Sequence, residues 1–308
     1  MLVHGVQRSS HRYYRQCSRC AFHCSICDGR DRERGRIEEN IFGCKEITFF
    51  LSPPPSPSVA SFSTFSVACE GGQVTSLSIR GDRDPASLPS WRGALPASFS
   101  SDALFTTLSR LPALARLSLV GLGAWGPLPG AKLRRLQALQ QLNLSSNYFY
   151  GALPGNLARL YSSLVLSRNA LNGTVPSLVG LQFLQELDLS HNRLGPAFPE
   201  VGNAVARLVL AGNNFSGEIP ARVVGALGQL QYLDVSGNKL RGWVPSAIFA
   251  LPALRYVDLS KNRLVGQLPA TTACAAALAF VDVSANMLTG ARPACLRGNS
   301  STRTAAAG

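Results

Sequence analysis

The sequence contains no uninterrupted apolar run of about 18 residues, the length that a membrane-spanning helix needs. It also lacks the usual apolar segment of a secretory signal peptide, because the basic residues near its start are followed by polar residues and cysteines. Neither a spanning helix nor an ordinary secretion signal is visible, and the compartment has to be inferred from other features.

Residues typical of catalysis are also scarce. The 308 residues include four histidines, at positions 4, 11, 23 and 191, and His191 has no nucleophile or group of metal ligands beside it in the sequence. Nothing matches the glycine-rich loop, the catalytic lysine or the HRD and DFG motifs of a protein kinase. We expect no enzyme active site, no catalytic residue and no cofactor.

Acidic residues are outnumbered, with 17 Asp and Glu against 30 Lys and Arg and a formal net charge of +13. Such an excess raises the question of a nucleic-acid partner. From about residue 74 onward, however, the basic residues are scattered, and only Lys132, Arg134 and Arg135 form a local run. Scattered charge is typical of a solvated surface, so we expect no nucleic-acid binding.

Regular spacing begins at about Val74 and continues to about Pro293. Asparagine recurs every 21 to 25 residues, and an earlier repeat has Leu122 in the same slot; these anchor asparagines are Asn147, Asn169, Asn192, Asn213, Asn238, Asn262 and Asn286. Aliphatic residues stand five and three positions before each anchor, and proline stands seven positions after it. A glycine stands four positions after the anchor in every repeat except one, where Pro196 replaces it. A period of this length indicates a solenoid, since one repeat cannot bury its own apolar residues.

Local geometry follows from this spacing. Two aliphatic residues two positions apart point to the same side of a short strand, and stacked repeats place these strands in one parallel sheet. The anchor asparagine can satisfy backbone groups of adjacent coils, glycine allows a tight turn, and proline ends local pairing. Eight strands predict a concave strip roughly 35–40 Å long.

The repeat reads LxxLxxLxLxxNxLxGxLPxx, as in LQALQQLNLSSNYFYGALP and LPALRYVDLSKNRLVGQLP. It resembles the plant-specific repeat of leucine-rich-repeat receptor-like kinases and receptor-like proteins. The stretch ALFTTLSRLPALARLSLVGLGAWGPLPG is similar to the first repeats of the group of these kinases described as inactive. The resemblance implies an α/β solenoid, a right-handed leucine-rich-repeat coil with a parallel concave β-sheet and about eight plant-type repeats plus caps.

The resemblance also implies a function. It predicts a non-catalytic binding module, extracellular or at the plasma membrane, that recognises a peptide or another receptor ectodomain through its concave face. The alternative is a secreted enzyme inhibitor or a cell-wall-binding protein with the same repeats. Receptors of this kind continue into a membrane helix and a kinase, whereas this sequence stops at TRTAAAG. We therefore expect an ectodomain alone, with membrane attachment only through a missing C-terminal segment; a natural truncation and an incomplete gene model remain open.

Four regions are predicted along the chain. Residues 1–58 form an Arg- and Cys-rich leader with a Pro-rich linker, expected to be disordered. Residues 59–110 form an N-terminal cap, residues 111–293 the repeats, and residues 294–308 a C-terminal cap and tail. The coil before Asn169 has only 22 residues and places Tyr161 in the slot that Leu139 fills one coil earlier. We expect a local irregularity there.

The cysteines fall into two groups. CSRCAFHCSIC has the residue types of a zinc site, but its three-residue spacer is far shorter than in known zinc motifs, so an unstructured leader is favoured; the candidate ligands are Cys17, Cys20, Cys24 and Cys27. The resemblance implies a disulfide between Cys274 and Cys295 in the C-terminal cap, with two buried thiols as the alternative. Cys69 belongs to the N-terminal cap, and because Cys44 is a poor partner we leave it unpaired.

Candidate surface residues complete the prediction. Sequons at Asn172, Asn214 and Asn299 are candidate glycosylation sites that support secretion, whereas a glycan on Asn143 would block the concave face. The last three repeat strands present an aromatic ladder, Tyr232, Tyr256 and Phe280, beside an acidic row, Asp234, Asp258 and Asp282. Together they predict a peptide site that favours a basic partner. In the alternative interpretation, the Asp and Ser residues of the repeat only bond along the ladder.

Overall fold

The computed structural model describes residues 64–81, 95, 99–155, 161–268, 274–290 and 302–303. The predictions for the leader, its four clustered cysteines, Cys295 and Asn299 lie outside these residues. No helix among the described residues is both long enough and apolar enough to cross a bilayer.

Nineteen strands and four short helices are found in the described part of the chain. The strands are β1 Thr64–Glu70, β2 Gln73–Arg80, β3 Arg116–Val120, β4 Trp125–Pro127, β5 Gln141–Asn143, β6 Tyr148–Gly151, β7 Ser163–Val165, β8 Ala170–Gly173, β9 Glu186–Asp188, β10 Arg193–Leu194, β11 Arg207–Val209, β12 Ser216–Gly217, β13 Tyr232–Asp234, β14 Lys239–Gly242, β15 Tyr256–Asp258, β16 Arg263–Gln267, β17 Phe280–Asp282, β18 Met287–Thr289 and β19 Thr302–Arg303. The helices are α1 Ser101–Leu108, α2 Gly130–Leu133, α3 Ala221–Gly225 and α4 Ser246–Phe249.

An 11-stranded main sheet runs the length of the coil in the order β1-β2-β3-β5-β7-β9-β11-β13-β15-β17-β19. Strands β1 and β2 form an antiparallel hairpin, and each later strand pairs in parallel with its neighbour. The central aliphatic residue of each repeat strand points into the core; Leu142, Leu187 and Leu233 are 1%, 0% and 1% exposed. The eight predicted repeat strands, joined by seven turns of the coil, are confirmed.

Two further parallel sheets lie in the return half of the coils, and the repeat pattern did not predict them. They have the orders β10-β8-β6-β4 and β12-β14-β16-β18, and we call them the second sheets. Their strands begin one residue after an anchor asparagine, except β4 and β12, which begin three residues after Leu122 and Asn213. Four of them end at the repeat's glycine, which adopts a positive φ of 77 to 82° at Gly151, Gly173, Gly217 and Gly242. A side chain would be strained in this left-handed conformation, which explains the glycine in the repeat.

The anchor asparagines join adjacent coils as predicted. Asn147 accepts backbone N–H bonds from Leu122 and Ala124 of the preceding coil at 3.1 Å each. Its Nδ2 lies 2.8 Å from the carbonyl oxygen of Leu119 in that coil and 3.0 Å from that of Leu144 in its own. The same pattern continues to Asn286. Buried turn backbone is thus satisfied by one side chain per repeat.

Helices occupy few of the return segments. Helices α2, α3 and α4 each follow directly on the repeat's proline, at Pro129, Pro220 and Pro245. Proline has no N–H to lose at a helix start, and its fixed φ suits one. Helix α1 is instead capped by Ser100, whose hydroxyl accepts a hydrogen bond from the N–H of Ala103 at 3.2 Å.

Tyr161 is fully buried, as Leu139 is one coil earlier, so it fills the slot predicted for it. Burial raises the pKa of its hydroxyl above the ordinary range. The shortened segment before it, residues 156–160, lies outside the described residues, so the irregularity stays a prediction.

Both described cysteines are disulfide-bonded. Cys69, in β1, was expected to be unpaired, and that expectation is wrong. Cys274 is also disulfide-bonded, which excludes the alternative of a free buried thiol. Its predicted partner, Cys295, lies outside the described residues, so the pairing stays a prediction. Strands β1 and β2 and helix α1 fall within the range predicted for the N-terminal cap, whose boundaries also stay a prediction.

Candidate functional site: the concave face

The concave face is built from the outward residues of the main sheet. In each three-residue strand the middle residue enters the core, so the residues on either side of it point outward. The parallel register aligns Arg207, Tyr232, Tyr256 and Phe280 in one column, and Val209, Asp234, Asp258 and Asp282 in the next. The predicted aromatic ladder and acidic row are therefore brought together.

The aromatic ladder is a continuous stack. The ring centroids of Tyr232 and Tyr256 are 4.1 Å apart with planes 4° from parallel, and those of Tyr256 and Phe280 are 4.4 Å apart with planes 5° from parallel. Adjacent parallel strands are about 4.8 Å apart, so the strand spacing itself sets this stacking distance. All three side chains are half-buried, which leaves ring surface available to a ligand.

Arg207 extends the column in the N-terminal direction. Its guanidinium carbon lies 3.9 Å from the ring centroid of Tyr232, within cation–π distance. Its Nε is 3.4 Å from Oε1 of Glu186, and Oε2 of Glu186 accepts a hydrogen bond from the Ser163 hydroxyl at 2.8 Å. The column thus runs unbroken from Ser163 to Phe280. The sequence prediction left Arg207 and Glu186 out of the site, although their shared slot in the repeat was the signal that could have included them.

The acidic row has a local structural role as well. Oδ1 of Asp234 accepts from the N–H of Ser236 at 2.9 Å and from its hydroxyl at 2.7 Å. Asp258 and Asp282 accept the corresponding backbone bonds from Ser260 and Ser284 at 2.9 Å. The aspartates and serines thus bond each other, as the alternative interpretation has it, but these bonds lie within one coil. This bonding does not remove the negative charge of Asp234 and Asp258, which form no ion pair among the residues whose side chains the structure describes. Asp282 is 8% exposed and is the register partner of Arg303.

The surroundings of the acidic row disfavour the charged form of Asp258. Burial raises the pKa of Asp258, and the charges of Asp234 and Asp282 raise it further, while hydrogen bonds from Ser260 oppose the shift. Burial first, then the contact with Tyr232 and the nearby aspartates, also raises the pKa of the Tyr256 hydroxyl. A bound cation would relieve the repulsion among these groups.

The candidate glycosylation sites differ in accessibility. Asn172 is exposed on β8, and Asn214 is half-buried just past its anchor. Asn143 faces the concave side, and its Oδ1 accepts from the N–H and hydroxyl of Ser145 at 3.0 and 2.7 Å. This bonding agrees with its exclusion as an acceptor. Modification at Asn172, Asn214 and Asn299 stays a prediction.

Comparison with protein families identifies the class of the repeats. Models described as leucine-rich repeat match residues 203–264, 180–197 and 138–160. These segments contain five of the seven anchor asparagines, Asn147, Asn192, Asn213, Asn238 and Asn262.

Two curated relatives from Arabidopsis thaliana resemble the chain. A "Probable LRR receptor-like serine/threonine-protein kinase" is 44% identical over 189 residues, which is 60% of this chain and 24% of that protein. A "Probable inactive leucine-rich repeat receptor-like protein kinase" is 39% identical over 82 residues, which is 27% of this chain and 9% of that protein. The chain therefore matches a quarter or less of the length of either relative.

Solved structures give the same result. The ectodomain of the plant membrane receptor kinase GASSHO1/SCHENGEN3 from Arabidopsis thaliana, in complex with Casparian strip integrity factor 2, is 27% identical with a TM-score of 0.64; the match covers 79% of this chain and 29% of that one. The plant peptide hormone receptor RGFR1, in complex with RGF2, is 26% identical with a TM-score of 0.58, and the match covers 64% and 32% of the two chains. The chain therefore contains leucine-rich repeats. It is homologous to Arabidopsis leucine-rich-repeat receptor-like kinases and folds like plant receptor ectodomains.

Proposed function

We propose that this chain is an extracellular, non-catalytic binding module that recognises a peptide, or the ectodomain of a partner receptor, through its concave face. The observation that carries the proposal is the unbroken column from Glu186 through Arg207 to the aromatic ladder, next to the acidic row. The solved receptors that resemble the chain support a ligand-binding role of this class.

The chemistry of the ligand follows from the two columns. Stacked aromatic rings offer a rigid apolar surface that loses little entropy on binding. Burial, and then the charges of Asp234 and Asp282, raise the pKa of Asp258, so a cation beside the acidic row would be favoured. We therefore propose a peptide segment that packs an apolar side chain or a proline on the rings and places a Lys or Arg beside Asp258.

A random peptide library displayed on phage tests this site on the full chain. Enriched peptides should carry a basic residue, and they should bind the Tyr232→Ala/Tyr256→Ala double variant at least about tenfold more weakly, since lost ring contacts of this kind are worth more than 1.4 kcal/mol. The matched control is Tyr150→Ala, which removes a tyrosine that is 40% exposed on a second sheet. Its affinity should stay at the wild-type level.

Two outcomes would contradict the proposal. If selected peptides bind the double variant as tightly as the wild type, the aromatic ladder is not the contact surface. If the Tyr150→Ala variant loses as much affinity as the double variant, the recognised surface lies on the second sheets.

A further inference from the structure

A second surface, on the opposite part of the coil, has its own chemistry. An open depression of about 440 Å³ lies over strands β12, β14 and β16 of the second sheet. Three of its seven lining residues are cationic and none is acidic; they are Pro196, Ala197, Ser216, Gly217, Lys239, Arg241 and Arg263. We call it the basic depression.

The backbone holds the three cations close together. Arg241 and Arg263 are register partners on adjacent parallel strands, about 4.8 Å apart at the backbone. Lys239 lies two residues before Arg241 on the same strand and therefore on the same side. All three side chains are exposed, and no ion pair involves them within the described residues. Like charges directly opposite each other across two strands are unfavourable. The free protein thus carries a repulsion that a bound anion would remove.

An exposed indole follows these charges along the chain, at the end of strand β14, and it is not among the residues that line the depression. Trp243 follows Arg241 by two residues and is 66% exposed. Its ring packs over Gly266, where an added Cβ would lie 2.9 Å from the indole Cε3. Glycine at this position therefore lets the indole lie against the backbone of the next coil. Glu218 packs over Gly242 as Trp243 packs over Gly266, and it does not line the depression either.

From these features we infer that the basic depression binds an acidic oligosaccharide, a chain of uronate sugars. Several separated cations on an open surface suit an extended ligand with repeated negative charge better than a single small anion. Guanidinium groups pair with carboxylates in a bidentate manner. The aromatic plane of Trp243 suits the flat C–H face of a sugar ring, a feature that an acidic peptide lacks. This surface is separate from the concave face and independent of the function proposed above.

Titration calorimetry of the full chain with an oligogalacturonate tests the inference. The oligogalacturonate should bind, with an affinity that falls as salt rises, while its methyl ester, which lacks the charge, should not bind. Arg241→Gln, Arg263→Gln and Trp243→Ala should each weaken binding about tenfold, the loss expected for one charge-assisted or aromatic contact. The Tyr232→Ala/Tyr256→Ala variant should bind the sugar normally, which separates this site from the concave one.

Matched controls distinguish a specific site from general positive charge. The Arg134→Gln/Arg135→Gln double variant removes two exposed charges in a distant coil and should bind like the wild type. The Arg241→Gln variant should unfold at the wild-type temperature or above, because it relieves a like-charge pair. A fall in its unfolding temperature that accompanies the loss of binding would make Arg241 a structural residue and overturn the inference. Equal binding of polyglutamate, unaffected by Trp243→Ala, would overturn it too, as would no binding at all.

Discussion

Each junction between coils depends on one buried asparagine side chain. Asn238, for example, accepts from the N–H of Phe215 at 3.0 Å and reaches the carbonyl oxygens of Leu210 and Val235, also at 3.0 Å. These backbone groups belong to turns, where no strand partner is available to them. Periodic asparagines in the sequence were sufficient to predict this role, because few other side chains offer both a donor and an acceptor of this size.

Replacing one anchor should therefore be costly. Asn238→Ala leaves buried donors and acceptors in two coils without partners, and we expect it to lower the free energy of unfolding by about 2–4 kcal/mol. Urea denaturation measures the change. Asn172→Ala, at an exposed asparagine in the same solenoid, serves as the control and should change stability by less than about 0.5 kcal/mol. Similar losses in both variants would contradict the proposed role of the anchor.

The acidic row gives a pH-dependent prediction. The pKa of Asp258 is raised in the folded state, so folding favours its protonated form, and stability falls as pH rises from the unfolded pKa through the raised folded pKa. Asp258→Asn should remove this fall and be the more stable protein at neutral pH. The amide fits the position, since Asn143 accepts the same serine bonds in its own coil. Thermal unfolding of both proteins across the acidic range checks this; parallel pH profiles would contradict it.

Within a coil, the strand and the turn were predictable, whereas the second sheets were not. The repeat's glycine was correctly predicted to allow a tight backbone, but its position says nothing about what the neighbouring residues pair with. Strands as short as β10 and β12, with two residues each, carry no alternating pattern to read. They form because stacked coils bring successive turns to the pairing distance of a sheet.

Two glycines have open space around them, so substitutions there measure the effect of backbone conformation without a change in packing. An added Cβ would meet nothing within 4 Å at either Gly151 or Gly228, but Gly151 has a φ of +82°. We expect Gly151→Ala to cost about 1–2 kcal/mol, the penalty of the left-handed region for an L-residue. Gly228→Ala should be neutral or stabilise by up to about 1 kcal/mol. Chemical denaturation measures the free energy of unfolding of the two variants. Equal effects would show that φ is not the reason why glycine recurs at this position of the repeat.

Across the whole chain, length and periodicity predicted the solenoid, while the chemistry of its surfaces required the structure. The register of the main sheet brings Glu186 and Arg207 onto the aromatic ladder, and the second sheet brings Lys239, Arg241 and Arg263 around one depression. In the sequence these cations are separated by up to 24 residues and looked like scattered surface charge. Repeats convert such distances into neighbouring positions, and only the coil geometry shows which ones meet.

Stability should be shared between neighbouring coils. Leu233 is 1% exposed in a central coil, and Leu233→Ala should lower the free energy of unfolding by about 2–5 kcal/mol, the cost of a cavity in a packed core. Because each coil contacts only its neighbours, hydrogen exchange should accelerate in β11, β13 and β15 before it does in β3. Val179→Ala, at a valine that is 53% exposed, should leave exchange unchanged. A uniform acceleration over all strands would argue against this nearest-neighbour description.

The rings of the aromatic ladder are regularly spaced. Its neighbouring ring centroids are 4.1 and 4.4 Å apart, so the rings of Tyr232 and Phe280 are separated by about 8.5 Å. A polyproline II chain rises about 3.1 Å per residue with three residues per turn, and it presents the same side every 9.3 Å or so. A β-strand presents the same side about every 6.6 Å and falls out of step after one contact. A ligand chain lying along the ladder therefore matches the spacing of Tyr232 and Phe280 better with residues i and i+3 of a left-handed threefold helix than with alternate residues of a strand.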